Sequence, residues 1–226
     1  VSGRLEIDAR PFGGADVAQV ARAGVAPVGF TLFLSTHIPV SMPVCLFQLP
    51  RNGGNPEITP VYWLSGVLRP GLTIRLQWGP DLGFVAGNGE IHEGATIETT
   101  QYLPTGPGVD EVVLTAPNGS LELTDAGPAP APGERIVRPD VTVPAENVIA
   151  GVGQSGAATL VAQALPNIDL VFLTDTTIRI VSGACAAGQV VSNAARGGAT
   201  ILEIRPGTSS MQGILMTNGD WAFMPR

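Results

Sequence analysis

Leu72-Thr73-Ile74-Arg75-Leu76-Gln77-Trp78 alternates apolar and polar side chains with a period of two. Successive side chains of a β-strand point to opposite faces of a sheet, so the apolar residues of this stretch share one face and the polar residues share the other. The pattern predicts a strand that lies with one face on a core and the other toward solvent.

Short apolar runs of the same kind recur along the chain between glycines and prolines. The 226 residues include 29 Gly and 20 Pro, and both residue types interrupt long helices. Many short strands separated by turn residues predict an all-β fold, mainly an antiparallel β-sandwich. The other predicted strands cover residues 4–9, 28–34, 44–48, 96–102, 111–115, 120–123, 168–174, 177–181, 200–204 and 212–216.

The composition divides the chain into a short N-terminal arm and a larger domain. We predict a strand-like arm at residues 1–27 and a single β-sandwich domain at residues 28–226. At most one short helix is expected, near the N-terminus at residues 15–22. The Pro-rich segment at residues 126–133 has no periodicity and predicts an extended loop. The apolar runs on its two sides are too few for two independently closed sandwiches, so one domain is preferred.

The net charge argues against nucleic acid as a partner, and the length of the apolar runs argues against a membrane span. The formal net charge is −7, whereas nucleic-acid affinity rests on clustered cations. No stretch reaches the ~18 consecutive apolar residues that a membrane span needs. We therefore expect neither nucleic-acid binding nor membrane insertion. The compartment stays open, with an extracellular location slightly favoured over a cytoplasmic one.

The surface of the chain carries few charged residues, which normally limit association with other proteins. Only 14% of its residues are charged and 44% are hydrophobic, which leaves neutral surface available for contacts. All 12 basic residues are arginine, a side chain that favours interfaces. A GC-rich genome explains the absence of lysine equally well.

The two cysteines lie far apart in the sequence. Cys45 sits in an apolar run, and we interpret it as a small buried free thiol. A single long-range disulfide with Cys185 is the alternative. The cysteines and the two histidines, His37 and His92, have no close ligand pairs, so no zinc site is predicted.

Other candidates for chemistry have simpler interpretations. Asp81, Glu90 and Glu93 are carboxylates of the kind that bind hard cations, but their spacing fits an ordinary polar loop better. His92 has no nucleophile-elbow motif beside it and is expected on the surface. Asn118-Gly119-Ser120 matches a glycosylation acceptor, and we interpret it first as a hairpin turn. No catalytic residue, cofactor site or metal site is predicted.

The segment at residues 147–156 contains a G-x-G-x-x-G match at Gly151, Gly153 and Gly156. In a dinucleotide-binding fold such glycines let a pyrophosphate rest on a helix N-terminus. Here the preceding strand is too short, and Pro166 ends the following helix candidate too early for a crossover. We interpret the motif as a glycine-rich join between strands.

Two stretches of the chain carry spaced tryptophan, glycine and proline features. The features are Val44-Cys45-Leu46-Phe47-Gln48, Trp63, Pro70-Gly71, Trp78, Gly83-Phe84-Val85, Gly89, Gly94, the glycine motif, Pro166-Asn167, Asp169-Leu170-Val171-Phe172 and Trp221. Together they resemble the rhizosphere-expressed RhiA-type family of bacterial proteins. The resemblance implies a small β-rich domain of poorly defined function in bacteria that live near plant roots or in social groups. It implies no catalytic residues.

Our leading functional hypothesis is a non-enzymatic structural protein that self-assembles into a homo-oligomer or extracellular filament. Strand edges without lysine are poorly protected against pairing with another chain. The alternating N-terminal segment offers Leu5, Ile7 and Ala9 on one face, so it is a candidate assembly strand that completes a neighbour's sheet.

The alternative is a lectin-like or small-ligand-binding sandwich, with glycan as the partner. Tyr62, Trp63 and Trp221 are the candidate aromatics for stacking on a ligand. Trp78 lies on the apolar face of its strand and is expected to anchor the core. An aromatic content of 5% fits carbohydrate binding poorly.

Overall fold

The computed structural model describes residues 8–9, 29–51, 57–79, 81–106, 108–131, 133–205 and 207–226. Most of these residues lie in short strands. In chain order they are β1 (Asp8–Ala9), β2 (Phe30–Thr36), β3 (Met42–Pro50), β4 (Thr59–Pro60), β5 (Leu64–Leu68), β6 (Ile74–Trp78), β7 (Leu82–Asn88), β8 (Glu98–Pro104), β9 (Glu111–Thr115), β10 (Glu122–Gly127), β11 (Glu134–Pro139), β12 (Val148–Gln154), β13 (Ala157–Gln163), β14 (Leu170–Ser182), β15 (Thr200–Leu202), β16 (Ser210–Leu215) and β17 (Trp221–Pro225).

The strands form three sheets. Sheet A has the order β1-β6-β2-β16-β17, sheet B has the order β10-β9-β11-β14-β3-β5 with β15 on β14, and sheet C has the order β4-β13-β12-β7-β8. Most neighbours are antiparallel, and the parallel pairs among the described strands are β1–β6, β2–β16 and β9–β11. The prediction of an all-β, mainly antiparallel fold is confirmed.

The first sandwich packs sheet A against the part of sheet B formed by β15, β14, β3 and β5. The alternation seen in the sequence explains its core, because every second residue of β2 and β6 points inward. Leu32, Leu34 and Leu76 have no exposed surface, and Trp63 is 1% exposed. Val44, Leu46, Ile178 and Ile180 face them from sheet B.

The second sandwich packs sheet C against the part of sheet B formed by β10, β9, β11 and β14. Phe84, Leu160, Val112 and Phe172 meet in its core. All seven residues of β12 are buried, so this strand is covered on both faces. A strand buried on both faces loses the alternation that marks a half-exposed one, which explains why the sequence did not predict β12.

Strand β14 joins the two sandwiches. Its first residues pair with β11 and its last residues pair with β3, with a register shift between Thr174 and Ile178. The sequence predicted separate strands at 168–174 and 177–181, and the structure shows one continuous strand. The prediction of a single domain at residues 28–226 stays a prediction, and the shared strand supports it.

The described part of the chain has one α-helix, α1 (Asn193–Gly198), which the sequence did not predict. The Ser192 side chain accepts a hydrogen bond from the Ala195 N–H at 3.1 Å and caps it. The helix predicted at residues 15–22 lies outside the described residues.

The Pro-rich segment connects β10 to β11. These strands lie on opposite sides of β9, so the connection crosses one strand end, a span of roughly 10 Å. A two-residue hairpin turn cannot cover that distance, whereas an extended proline-rich chain of about 3.1 Å per residue can. Ala126 and Gly127, the first two residues of the predicted loop, form the end of β10, and the described residues between Gly127 and Glu134 lie outside the strands.

Candidate functional site

The glycine motif forms a β-hairpin. Gly151 and Gly153 lie inside β12, Gly156 lies in the turn, and the residues that follow the motif form β13. Ser155 and Gly156 both have positive φ, at 52° and 84°, as a tight hairpin turn requires. The interpretation as a join between strands is confirmed, because a strand rather than a helix follows the glycines.

Close approach of strands explains the first two glycines. A Cβ on Gly151 would overlap the carbonyl oxygen of Leu160, and one on Gly153 would lie 2.5 Å from the carbonyl oxygen of Ala157. Both contacts are with the backbone of β13, which cannot rotate away. The motif therefore serves packing in the second sandwich.

Two of the three candidate stacking aromatics lie in the interior. Tyr62 is 4% exposed and packs edge-on against Phe47, and Trp63 is 1% exposed and packs edge-on against Trp78. These two rings are not available to a ligand, which corrects the surface role predicted for them. Trp78 anchors the core as expected. Trp221 is half-buried and stacks on Phe223 with ring centroids 5.8 Å apart.

The interpretation of Cys45 as a free thiol is wrong. Cys45 and Cys185 form a disulfide across a sequence separation of 140 residues. Cys45 lies on the face of β3 that points away from the first core, beside Phe47, Tyr62 and Val191. The bond holds the chain after β14 over this outer face, which sequence spacing alone did not reveal.

The segment held by the disulfide borders a small polar hollow of about 180 Å³, between the loop with Glu93 and the helix with Arg196. Burial lowers the pKa of Arg196, and the nearby Glu93 charge opposes that shift. His92 is exposed on the rim of the hollow. Since the two charges offset each other, the hollow offers little net charge to a ligand.

Asp81 is a buried carboxyl, 3% exposed, at the start of β7. The Ser155 hydroxyl donates a hydrogen bond to its Oδ1 at 3.1 Å and accepts one from the Gly79 N–H at 3.0 Å. Burial raises the pKa of Asp81, and the hydrogen bond from Ser155 partly offsets the shift. The cluster ties the end of sheet A to the hairpin of sheet C.

The described residues contain no group of three or more His, Cys, Asp or Glu side chains placed to hold a metal ion. Asp81 is engaged with Ser155, while Glu90 and Glu93 are exposed. No helix in the described ranges is long and apolar enough to cross a membrane.

The outer side of β17 is an unpaired strand edge, which we call the open edge. Met216 N–H donates to the Asp220 carbonyl at 2.9 Å and Arg226 N–H to the Ser210 carbonyl at 3.3 Å. Hydrogen bonding alternates along an antiparallel pair, so Trp221 and Phe223 direct their N–H and carbonyl groups away from β16. No described strand pairs with these groups.

A groove of about 340 Å³ lies beside the open edge, between β17 and β15. Apolar side chains and one charge of each sign line it: Ile201, Met211, Phe223, Pro225, Glu203 and Arg205. Ile201 in its lining is 44% exposed, and Met224 of β17 is 44% exposed as well. The guanidinium of Arg226 lies 3.9 Å from the ring centre of Phe33 and holds the residue after β17 against sheet A.

The outer strands of the second sandwich differ from β17 in charge and regularity. Strand β10 presents exposed Glu122 and Asp125. Strand β8 carries exposed Glu98 and Pro104, and its pairing with β7 is interrupted by a bulge. Charges, proline and bulges all block pairing with another chain. Strand β17 has no charge within it, although Asp220 and Arg226 flank it.

The sequence from β2 to β17 matches a known protein family. A model of the RhiA family matches residues 31–224. The chain belongs to the RhiA family. The matched range covers β17 as far as Met224, so most of the open edge and of the groove lies within the RhiA match. Neither a curated protein nor a solved structure matches the chain.

Part of the N-terminal arm also lies on the RhiA domain. Asp8 and Ala9 pair in parallel with Arg75 and Leu76 of β6, at the edge of sheet A opposite β17. This pairing lies before the matched range. The other two candidate assembly residues, Leu5 and Ile7, fall outside the described residues.

Most of the open edge of this RhiA-family chain was not predicted from the sequence. Trp221 was singled out, but Phe223, Met224 and Ile201 were not. The available signal was the uncharged run from Trp221 to Pro225, which is short and follows a turn at Gly219 with φ of 90°. Its position at the end of a sheet depends on strand order, which the run itself does not encode.

Proposed function

We propose that this RhiA-family chain is a non-enzymatic structural protein that assembles with copies of itself through the open edge of β17. The observation that carries the proposal is the unpaired, uncharged edge with a partly apolar groove beside it. An exposed edge of this kind is a template for a further strand. Such pairing supplies backbone hydrogen bonds, and the groove supplies apolar burial.

The geometry limits how the contact forms. Trp221 and Phe223 offer the outward N–H groups, whereas Pro225 has none to offer. An added strand therefore gains its bonds around Phe223. Ile201 and Phe223 become covered by the same partner because they line the adjoining groove, whose floor includes the buried Met211.

The disulfide supports an extracellular setting for the assembly. Disulfides persist in oxidising environments and are rare in the cytosol, and Cys45 and Cys185 form one here. This fits a homo-oligomer or filament outside the cell.

Adding charge to the open edge tests the proposal. Ala222 and Met224 are exposed and alternate with the residues that direct their backbone groups outward along the edge. The double variant Ala222→Lys/Met224→Lys places two charges there and leaves the first core intact. The matched control, Thr124→Lys/Ala126→Lys, adds the same charge to exposed positions of β10.

Light scattering and electron microscopy supply the readout. The wild type and the β10 control are expected to form particles that grow with concentration beyond the 23.3 kDa of one chain, while the β17 variant stays at that mass. Wild-type particles that never exceed one chain would overturn the proposal, as would equal assembly of the two variants.

A ligand-binding module is the second candidate, and the groove is the observation that favours it. Its volume of about 340 Å³ is typical of small-molecule sites, and Phe223 gives it one aromatic wall. A glycan array tests this alternative. A wild type that stays monomeric and binds a glycan would favour this alternative over assembly, provided that the variant Phe223→Ala no longer binds it.

A further inference from the structure

We propose that β17 pairs with β17 of a second copy in an antiparallel ladder centred on Phe223, so that assembly through the open edge closes as a two-fold dimer. The inference rests on the proposed function and names the partner strand, the register and the symmetry of that contact. The two charges that flank β17, Asp220 and Arg226, select this arrangement.

The flanking charges lie symmetrically about Phe223. Asp220 precedes Phe223 by three residues and Arg226 follows it by three, and both charged residues are exposed. In an antiparallel pair centred on Phe223, Asp220 of each copy therefore lies opposite Arg226 of the other. Opposite charges directly across a ladder stabilise it, whereas like charges destabilise it. Both ends of the proposed ladder thus join an acid to a base.

The two charges also share one face of sheet A. The guanidinium of Arg226 lies over the ring of Phe33, which is on the outer face because its neighbours in β2, Leu32 and Leu34, point into the core. The pairing of β16 with β17 continues to the hydrogen bond from the Met216 N–H to the Asp220 carbonyl. By the two-residue period of a strand, Asp220 therefore belongs to the same face as Arg226.

Asp220 is available to a cation from another copy. Its Oδ2 accepts a hydrogen bond from the neutral side chain of Asn218 at 2.7 Å. Within the described ranges its carboxylate forms no ion pair. The carboxylate is exposed, so a guanidinium can approach it without displacing a charged partner.

The outward backbone groups of β17 fit the same register. The two Phe223 residues exchange N–H to carbonyl hydrogen bonds at the centre, and each Trp221 N–H meets the Pro225 carbonyl of the second copy. Pro225 has no N–H, so one bond is missing at each end. Every outward N–H of the strand still finds an acceptor.

Other pairings of β17 with itself leave the charges unmatched. An antiparallel ladder centred on Ala222 also pairs the outward N–H groups, but it places Asp220 opposite Met224 and Arg226 opposite Asn218. A parallel ladder in register places Asp220 beside Asp220 and Arg226 beside Arg226. Charge complementarity therefore favours the ladder centred on Phe223.

The outer strands β10 and β8 of the second sandwich lack this arrangement. Strand β10 contains Glu122 and Asp125 and no basic residue, and β8 contains Glu98 and no basic residue. A two-fold pair of either strand would bring acids together without a base. The self-complementary pattern therefore distinguishes β17 from these two strands.

The pairing also covers apolar surface. Phe223 lines the groove beside the open edge, and in this register it lies at the two-fold axis. An axis normal to the sheet keeps the inner faces of the two copies on the same side, so the two Phe223 side chains are direct cross-strand neighbours. The two grooves adjoin at this point, and each copy shields Phe223 of the other.

The symmetry limits the size of the assembly. In a two-fold contact the same surface is used by both copies. Once two β17 strands have paired, neither copy has an open edge left at this position. Assembly through β17 therefore stops at two chains.

Cysteine trapping tests the register. One full-length chain carries Ala222→Cys and a second, distinguishable by a size tag, carries Met224→Cys. In the proposed ladder these positions are directly opposite, with Cα atoms about 4.5 Å apart, which a disulfide can span. Two Ala222→Cys chains would hold their cysteines diagonally, roughly 8 Å apart, too far for a disulfide. Ala222→Cys mixed with Thr124→Cys, an exposed position on β10, gives the background.

We expect a reductant-sensitive heterodimer of the Ala222→Cys and Met224→Cys chains, several-fold more abundant than both the Ala222→Cys homodimer and the background. A homodimer more abundant than the heterodimer would replace the proposed register by the one centred on Ala222. A heterodimer at background level would overturn the pairing of β17 with itself.

Sedimentation velocity of the wild type separates this inference from the proposed function. The mass should rise with concentration from the 23.3 kDa of one chain to a plateau at twice that value. Growth beyond two chains without a plateau would refute the closed dimer and leave assembly through the open edge standing. A mass that stays at one chain would refute both.

Exchange of the flanking charges gives an independent readout. Asp220→Arg and Arg226→Asp each place like charges at both ends of their own ladder, so each should raise the Kd of the dimer on the order of tenfold. In an equimolar mixture, a heterodimer of the two variants again joins opposite charges at both ends, and its Kd should return close to the wild-type value. Damage to the fold of either variant would not be repaired by mixing. A mixture no tighter than the single variants would contradict the register.

Discussion

The two sandwiches of this chain share strand β14 but differ in the charges that their outer strands carry. Two outer strands of the second sandwich, β10 and β8, carry Glu122, Asp125 and Glu98 on exposed positions. At one edge of the first sandwich, β17 has no charge within the strand. A low overall charge therefore does not by itself mark an interface. The position of the few charges relative to strand edges distinguishes a protected sheet from one that can be extended.

The interiors differ as well. The first core contains large rings, including Trp63 and Trp78, and the disulfide holds a covering segment over its outer face. The second relies on close strand approach at glycines, with Gly151 directly against the backbone of β13. We expect the first sandwich to depend on its disulfide and the second on its small residues.

Removing the disulfide should have the largest effect. Cys45→Ala/Cys185→Ala opens a loop of 140 residues, and the chain-entropy relation gives a loss of about 5 kcal/mol in the free energy of unfolding. Chemical denaturation with and without the bond measures it. Hydrogen exchange should locate the loss around Phe47 and Tyr62. Equal midpoints for the two forms would show that the bond does not stabilise the first sandwich.

Glycine-to-alanine substitutions compare how much stability each sandwich loses when a Cβ is added to its interior. Gly151→Ala forces the backbone of β13 to move and should cost about 3 kcal/mol, whereas Gly213→Ala meets the ends of the Leu34 and Phe223 side chains at 2.7 Å and should cost about 1 kcal/mol. Thermal unfolding measures both. Gly197→Ala in α1 has open space around its Cβ and serves as the control. A larger loss at Gly213 than at Gly151 would reverse the proposed contrast.

The buried carboxyl between the sandwiches predicts a smaller, pH-dependent effect. Burial raises the pKa of Asp81 above its usual value of 3.8, so the folded chain holds this proton to a higher pH than the unfolded chain does. Stability from this group is greatest below pH 3.8 and falls as the pH rises through the folded pKa. The variant Asp81→Asn has no carboxyl to ionise, so it avoids this loss of stability. Its side-chain oxygen can still accept the hydrogen bond from the Ser155 hydroxyl.

Melting temperatures at several pH values test this prediction. Asp81→Asn should exceed the wild type at neutral pH, with the difference shrinking toward about pH 3, below the unfolded pKa. Glu122→Gln, an exposed carboxyl on β10, is the control. A variant that is less stable than the wild type at neutral pH would mean that the ionised carboxyl stabilises the junction.

Local pattern predicted the half-exposed strands well. The run at 111–115 was predicted and observed with the same bounds, as β9, and the stretch that ends at Trp78 forms β6. Strands β12 and β13 were missed because small residues buried on both faces show no period of two. The sequence offered the disulfide only as an alternative and did not predict the open edge, for another reason. Both depend on which strands become neighbours, a property of the topology rather than of any short stretch.

Hydrogen exchange at the two contrasting edges tests assembly through the open edge most directly. Exchange is followed in the segments 221–225 and 122–127 while the protein concentration is raised. We expect exchange to slow in 221–225, where Trp221 and Phe223 direct their amides outward, and to stay constant in 122–127. Exchange that is independent of concentration in both segments, or that slows equally in both, would contradict assembly through the open edge.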